Sequence, residues 1–253
     1  MAAGFCVDRL EPDGAVTVRS RLHSCRSRAG FDQTRCMSGD VSDALMDFAG
    51  GDMFEGVRHR SDEHQRSHGC GLYNAGGPQM LLVSRLAELA GPETVLDLGC
   101  GLGYSTLWLA SILRGDGSVI GIDSDPEHIA EAEAIAAELG FADRVTYICG
   151  PVIDVLDSLD GPVDMIHDDA WFASPPDHLD KMIDLLASGG LLTMVNWFLL
   201  VDALTGEPRN EWAAFAGEDW AEQTLIYAQM LAERPDIRTT WLQSPPIAFA
   251  VKQ

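Results

Sequence analysis

Lysine is almost absent from this chain of 253 residues: only Lys181 and Lys252 occur. In all, 17 basic residues face 39 acidic ones, and the formal net charge is −22. Such a surface repels polyanions, and no basic footprint for nucleic acid is visible. A CoA-linked substrate is disfavoured for the same reason. No apolar run reaches the roughly 18 residues that span a membrane. The opening stretch MAAGFCVDRLEPDG carries charges where a secretory leader has its apolar segment. The six cysteines (Cys6, Cys25, Cys36, Cys70, Cys100 and Cys149) form no CxxC pair, so a zinc site is not expected. Together these absences suggest a soluble protein with reduced thiols in the cytoplasm, without nucleic-acid or membrane partners.

Residues 1–40 hold three of the cysteines and six arginines but little periodicity, and read as an N-terminal extension, a mobile tail. Residues 41–90 read as a helical cap on the domain 41–253. The cap comprises a helix in SDALMDFAGG, a His- and Arg-rich stretch from Phe54 to Gly71, and an approach helix in GGPQMLLVSRLAELAG. From residue 94 strands alternate with helices. The strands are TVLDLG, SVIGID, RVTYICG, VDMIHDD, GLLTMVNW, IRTTWLQ and PIAFAVK; the helices include PEHIAEAEAIAAELG and PDHLDKMIDLLASG. This predicts an α/β fold: a Rossmann-like, doubly wound, mostly parallel seven-stranded sheet. A C-terminal antiparallel hairpin and an N-terminal helical extension complete it.

A ligand of such a sheet sits beyond the carboxyl ends of the strands. There VLDLGCGLGYS places Gly99, Gly101 and Gly103 between a strand and a helix. Glycines allow close backbone approach, and a helix start offers free N–H groups. The pattern is not the GxGxxG dinucleotide fingerprint. Two acids stand beside it. Asp97 lies in the strand and is placed to hold a cation such as an α-ammonium group. Asp123 ends the next strand, where an acid takes both ribose hydroxyls. A third strand ends in HDDAWF, with His167, Asp168 and Asp169. In a regular strand Asp168 and Asp169 face opposite sides, so Asp169 is expected at the ligand and Asp168 at a solvated end.

These residues resemble the class I S-adenosylmethionine-dependent methyltransferases, and within them the catechol and caffeoyl-CoA O-methyltransferases. The resemblance covers residues 72–253 and rests on GPQMLLVSRLAEL, GYSTLWLA, DDAW, GGLLTMVNW and the closing hairpin. It implies S-adenosylmethionine as cofactor, a small-molecule acceptor and a homodimer. By the same resemblance Asp97, Gly99, Cys100, Gly101, Tyr104 and Ser105 would meet the methionine part. Asp123 and Ser124 would hold the ribose. Gly150, Pro151, Val152 and Trp171 would flank the adenine. Asp169 would lie by the sulfonium and the acceptor, and Asp169 with Asn196 would hold any metal.

Two departures from that family stand out. Its Mg²⁺ site uses a consecutive Asp-Asn, but here Val195 precedes Asn196, so one hard oxygen ligand is gone and metal affinity should fall. Its lysine base corresponds to Phe172. Forming a phenolate at neutral pH costs about 4 kcal/mol, normally supplied by a metal or a base. Asp169 and the histidines His59, His64, His68, His167 and His178 are the remaining candidates, with His68 and His167 placed first. A carboxylate acceptor oriented by Arg58 or Arg60 would need no base. The expected activity is therefore O-methylation of a small molecule, the altered pocket suggesting a secondary-metabolite tailoring role. Carboxylate methylation of a peptide or small acid, or a catalytically inactive cofactor-binding regulator, are the alternatives. Calorimetry should show binding of S-adenosylmethionine in preference to NAD; a preference for NAD would remove the reading.

Overall fold

The computed structural model describes residues 46–70, 72–170, 177–206 and 219–253. The expected N-terminal extension (1–40), Trp171 and Phe172 lie outside the described residues. Of the helix expected in SDALMDFAGG, residues 46–49 are described and helical. No helix of the described chain is long and apolar enough to cross a membrane.

Two helices precede the sheet, α1 (Glu55–His68) and α2 (Gly77–Ala90). Then follow β1 (Thr94–Leu98), α3 (Tyr104–Ile112), β2 (Ser118–Asp123), α4 (Pro126–Glu138) and β3 (Val145–Cys149). The second half contains α5 (Val152–Ser158), β4 (Val163–Asp168), α6 (Asp177–Leu185), β5 (Leu186–Met194), α7 (Phe198–Thr205) and α8 (Trp220–Glu233). The chain closes with β6 (Ile237–Gln243) and β7 (Pro246–Lys252).

The seven strands run in the order β3-β2-β1-β4-β5-β7-β6, and β7 is antiparallel to both its neighbours. The chain winds outward from β1 to β3, then returns to lay β4 against the other side of β1. That reversal opens a crevice beyond the ends of β1 and β4. The expected architecture is therefore present, hairpin included. One boundary differs: the helix before β5 ends at Leu185, four residues earlier than SGG suggested, and β5 starts at Leu186. Leu186 is buried opposite Val163, and the register slips before Leu191 meets Met165. Burial of Leu186 overrides the Ser-Gly-Gly breaker that follows it.

Strand alternation sorts side chains into two apolar layers. Val95, Met165 and Leu191 pack with Met80, Val83, Leu107 and Trp108 on one face. Leu96, Ile166 and Leu192 pack with Leu179, Met182 and Leu231 on the other. Each fully buried side chain of this kind contributes about 1.5–3 kcal/mol. Asp97, His167 and Thr193 occupy one rung across β1, β4 and β5. Their parity is that of the first layer, so the polar row caps that layer at the crevice end.

α1 lies along α4. Arg60 donates to both carboxylate oxygens of Glu138 at 2.8 and 2.9 Å, and His64 Nδ1 meets Glu131 Oε2 at 3.1 Å. A second tie joins the cap to α3. Asp52 accepts from the Tyr104 hydroxyl at 2.9 Å, from Arg58 Nε at 3.0 Å and from the Phe54 N–H at 3.1 Å. Tyr104→Phe should therefore cost about 1.5–3 kcal/mol, the range for a hydrogen bond to a charged group, in urea unfolding; a loss below about 0.5 kcal/mol would deny that tie a structural part.

Candidate functional site

The crevice is floored by the turn after β1. Gly99 has φ +78°, and a Cβ there would press on the backbone of Asp169 at 3.2 Å and Ala170 at 3.3 Å. Gly101 has φ +51°, and a Cβ there would collide with Leu72 from the loop before α2. Only glycine permits this path. The turn reverses the chain so that the start of α3 faces the end of β1.

There Asp97 is fully buried. Its Oδ2 accepts from Ser105 Oγ at 2.8 Å and Thr106 Oγ1 at 2.5 Å, while Oδ1 has no partner. Burial holds this carboxyl above its ordinary value, against the pull of His167 and the two hydroxyls. A buried carboxylate oxygen without a donor is costly, and a cationic N–H donor would satisfy it. Thr106 was missed in the sequence; the adjacent hydroxyls of Ser105 and Thr106 at a helix start were the available signal.

Asp169 follows directly after β4, half-buried, with its N–H on Leu98 O at 2.9 Å. Burial, then Asp97 and Asp168, push its carboxyl well above the usual range. Its Oδ1 accepts from Asn196 Nδ2. Asn196 has φ +64°, a left-handed conformation that asparagine tolerates and that turns the chain as it leaves β5. Val195 is fully buried in the first apolar layer. The metal donors expected here thus reduce to one carboxylate and one amide, already bonded to each other. Mg²⁺ seeks near-octahedral oxygen coordination, and this set does not fit it.

Asp123 ends β2 and holds the loop together. Its Oδ2 accepts from the Gly101 N–H at 3.0 Å; Oδ1 accepts from the Asp125 N–H at 2.9 Å and His128 Nδ1 at 3.3 Å. Burial acts to raise this carboxyl, but the His128 and backbone donors outweigh it and hold it below its ordinary value. The bond to Asp123 pushes the His128 imidazole up to about 9 against the opposing effect of burial. A carboxylate offers roughly four acceptor sites, so with three in use there is room for one ribose hydroxyl where two were expected. His128, at the third position of α4, was also missed; nothing in PEHIAEA distinguishes it from a helix-face histidine.

Other expected residues are placed as follows. Cys100 is buried beneath the turn, its Sγ against Gly121, and burial pushes the thiol up. The Tyr104 ring faces Asp52 and the first layer instead of the crevice. Ser124 is exposed beside Asp123. Gly150 N–H donates to Asp123 O at 2.9 Å, which brings the Gly150-Pro151-Val152 turn alongside the end of β2. His167 is fully buried, Nδ1 on Thr193 Oγ1 at 2.9 Å, and burial pulls its imidazole below the ordinary value. It sits beside Asp97 on the neighbouring strand, tied to Thr193. His68 is exposed and stacks on His64 at 4.1 Å, and His64 in turn meets Glu131 of α4.

Several expectations need correction. Asp168 is not a solvated strand end. It is fully buried on the second face, its Oδ2 3.3 Å from His178 Nε2, because its parity turns it under α6. His178 is thereby removed from the crevice. Arg58 and Arg60 are held by Asp52 and Glu138, so neither is poised for an acidic acceptor.

The family described as "Methyltransferase domain" matches residues 91–235, more than half of the chain. The chain belongs to this methyltransferase-domain family. The Mycobacterium tuberculosis protein named "Probable O-methyltransferase" is 37% identical over 115 residues, 45% of this chain and 51% of that protein. The chain thus spans about half the length of the curated relatives it matches. Among solved structures, the O-methyltransferase TomG of Streptomyces achromogenes in complex with SAM aligns with TM-score 0.65 at 23% identity, covering 78% of this chain and 89% of that one. The SAH-bound methyltransferase of Podospora anserina aligns with TM-score 0.66 at 21% identity, covering 90% and 99%. At these identities the likeness establishes the methyltransferase fold.

For a methyltransferase-domain crevice lined by raised carboxyls, affinity for a cationic ligand should increase with pH. Asp97 and Asp169 attract a cation only when ionised, and both are held above the ordinary carboxylate value near 4. The gain should therefore fall above that pH. Calorimetric titration with S-adenosylmethionine should show it, more steeply than with S-adenosylhomocysteine, which lacks the sulfonium charge. Asp97→Asn should weaken binding about tenfold to a hundredfold, the equivalent of about 1.5–3 kcal/mol.

Proposed function

We propose that the chain is an S-adenosylmethionine-dependent methyltransferase acting on an oxygen of a small molecule. Residues 41–253 form the catalytic unit, with 41–90 as its helical cap. The observation that carries this reading is the unpartnered, fully buried Oδ1 of Asp97 beneath the glycine turn, with Asp169 at the adjoining strand end. When bound, the cofactor supplies a methyl group carried on a positively charged sulfur. Asp97 and the glycine turn would hold its methionine end, Asp123 and Ser124 its ribose, and the turn at 150–152 its adenine.

An acceptor hydroxyl must lose its proton. Asp169 is suited to take it. Asn196 steadies its Oδ1, and Oδ2 would meet the acceptor. The raised carboxyl narrows the mismatch with a phenol of pKa near 10, by about 1.4 kcal/mol for each unit. Lining up the acceptor could contribute up to about 7–11 kcal/mol more. With Arg58 and Arg60 bound to acids, the geometry favours a neutral hydroxyl over a free carboxylate. A homodimer rests on the family resemblance alone, and a cytoplasmic setting on the cysteine pattern.

The test is S-adenosylhomocysteine release over a panel of phenols and carboxylic acids, with and without EDTA. Turnover is expected with phenolic acceptors and unchanged by EDTA. Asp169→Asn should lower kcat by about 10²–10⁴, and the wild-type rate should fall on the acid side at a pH above the usual carboxylate range. Turnover of carboxylic acids alone, or full activity of Asp169→Asn, would overturn the proposal.

A further inference from the structure

We propose a metal site outside the crevice, in which His64, Cys70 and His128 bind a borderline-soft divalent ion of the zinc type. One potential ligand atom of each residue lies within 4.8 Å of the others. His64 comes from the last turns of α1, Cys70 follows directly after its Gly69 cap, and His128 comes from the first turn of α4. No sequence spacing announces the site, because the fold brings one ligand from a distant helix.

Three observations argue for an ion. First, both histidines are more than nine-tenths buried, and His128 Nε2 has no hydrogen-bond partner. Second, each histidine already has Nδ1 on a carboxylate: His64 on Glu131 at 3.1 Å and His128 on Asp123 at 3.3 Å. A carboxylate on one ring nitrogen orients the other toward a metal and raises its basicity. Third, two imidazoles and a thiol suit zinc by ligand type, unlike the oxygen donors magnesium needs. Tetrahedral zinc sets its ligands roughly 3.3–3.8 Å apart, so a contraction of about 1 Å would close the site. Asp125 Oδ2, 3.7 Å from His128 Nε2, is at hand beside the remaining position.

Uptake converts the Cys70 thiol to a thiolate and replaces any proton on His128 Nε2, so it releases protons. The ion would clamp the cap to the helix that follows the ribose-side loop. Asp123 would then serve twice, as loop anchor and as the carboxylate orienting a ligand. The inference does not depend on methyl transfer; it would stand if the chain transferred nothing.

The experiment uses the full chain, stripped with chelator and titrated with Zn²⁺ and separately with Co²⁺. One equivalent should bind, Co²⁺ should show thiolate-to-metal charge transfer, and Zn²⁺ should raise the Tm. Cys70→Ser should remove the charge-transfer band and the Tm rise. His64→Gln and His128→Asn should weaken binding at least tenfold, and Glu131→Gln about 10–100-fold, as expected for an orienting carboxylate. The triple change Cys6→Ser, Cys25→Ser and Cys36→Ser should leave the band intact. Circular dichroism checks folding; if His128→Asn does not fold, Cys70→Ser and His64→Gln decide. Absence of binding, a band that persists in Cys70→Ser, or loss with the triple change would overturn the site. So would loss on His68→Gln and Glu127→Gln with Cys70→Ser unaffected, since those residues form the competing grouping with His64.

Discussion

Carboxylates taken out of water at the ends of neighbouring strands resist ionisation, and the crevice is organised around that cost of burial, to which repulsion between them adds. Asp97 lies in β1 and Asp169 directly after the neighbouring β4, and both Asp97 and Asp168 act on the Asp169 carboxyl. Left alone, such groups resist ionisation. The protein relieves only part of the strain: Ser105, Thr106 and Asn196 each donate once, while one oxygen of Asp97 stays empty. A cationic guest completes the arrangement, and the two acids gain their charge as it arrives. The glycine turn, the left-handed Asn196 and the buried His167–Thr193 pair all keep these groups in position.

Asp123 belongs to a different regime. It is held below the ordinary carboxylate range by donors that also fasten the loop. Acids of the same sheet thus behave oppositely because the donors to Asp123, His128 among them, outweigh its burial, whereas the hydroxyls on Asp97 do not outweigh the burial of that side chain. That contrast suits a ligand with a positive end and a neutral, hydroxyl-bearing end.

Much of this was legible in the residues. The alternation of apolar strands with helices, and the closing hairpin, specified the sheet because buried parallel strands leave few other ways to cover both faces. Asp123 and Asp169 were legible because they stop apolar runs, and Asp97 because it interrupts one. What could not be read was pairing between distant segments. Asp168 looked solvated until α6 covered it with His178. Arg58 and Arg60 looked free until Asp52 and Glu138 met them. His128 drew no notice, because its partners Asp123, Cys70 and His64 converge only in three dimensions. The early start of β5 escaped because burial of Leu186 outweighed local glycine chemistry.

Val195 has a consequence for how this protein can change. Its side chain sits in the apolar layer with no exposure, while the chain turns only at Asn196. An aspartate introduced there would enter hydrocarbon as a bare anion, at a cost of several kcal/mol unless it took up a proton. Building a magnesium site here would therefore demand that the backbone be redirected before the acid is installed, and no single substitution would be enough.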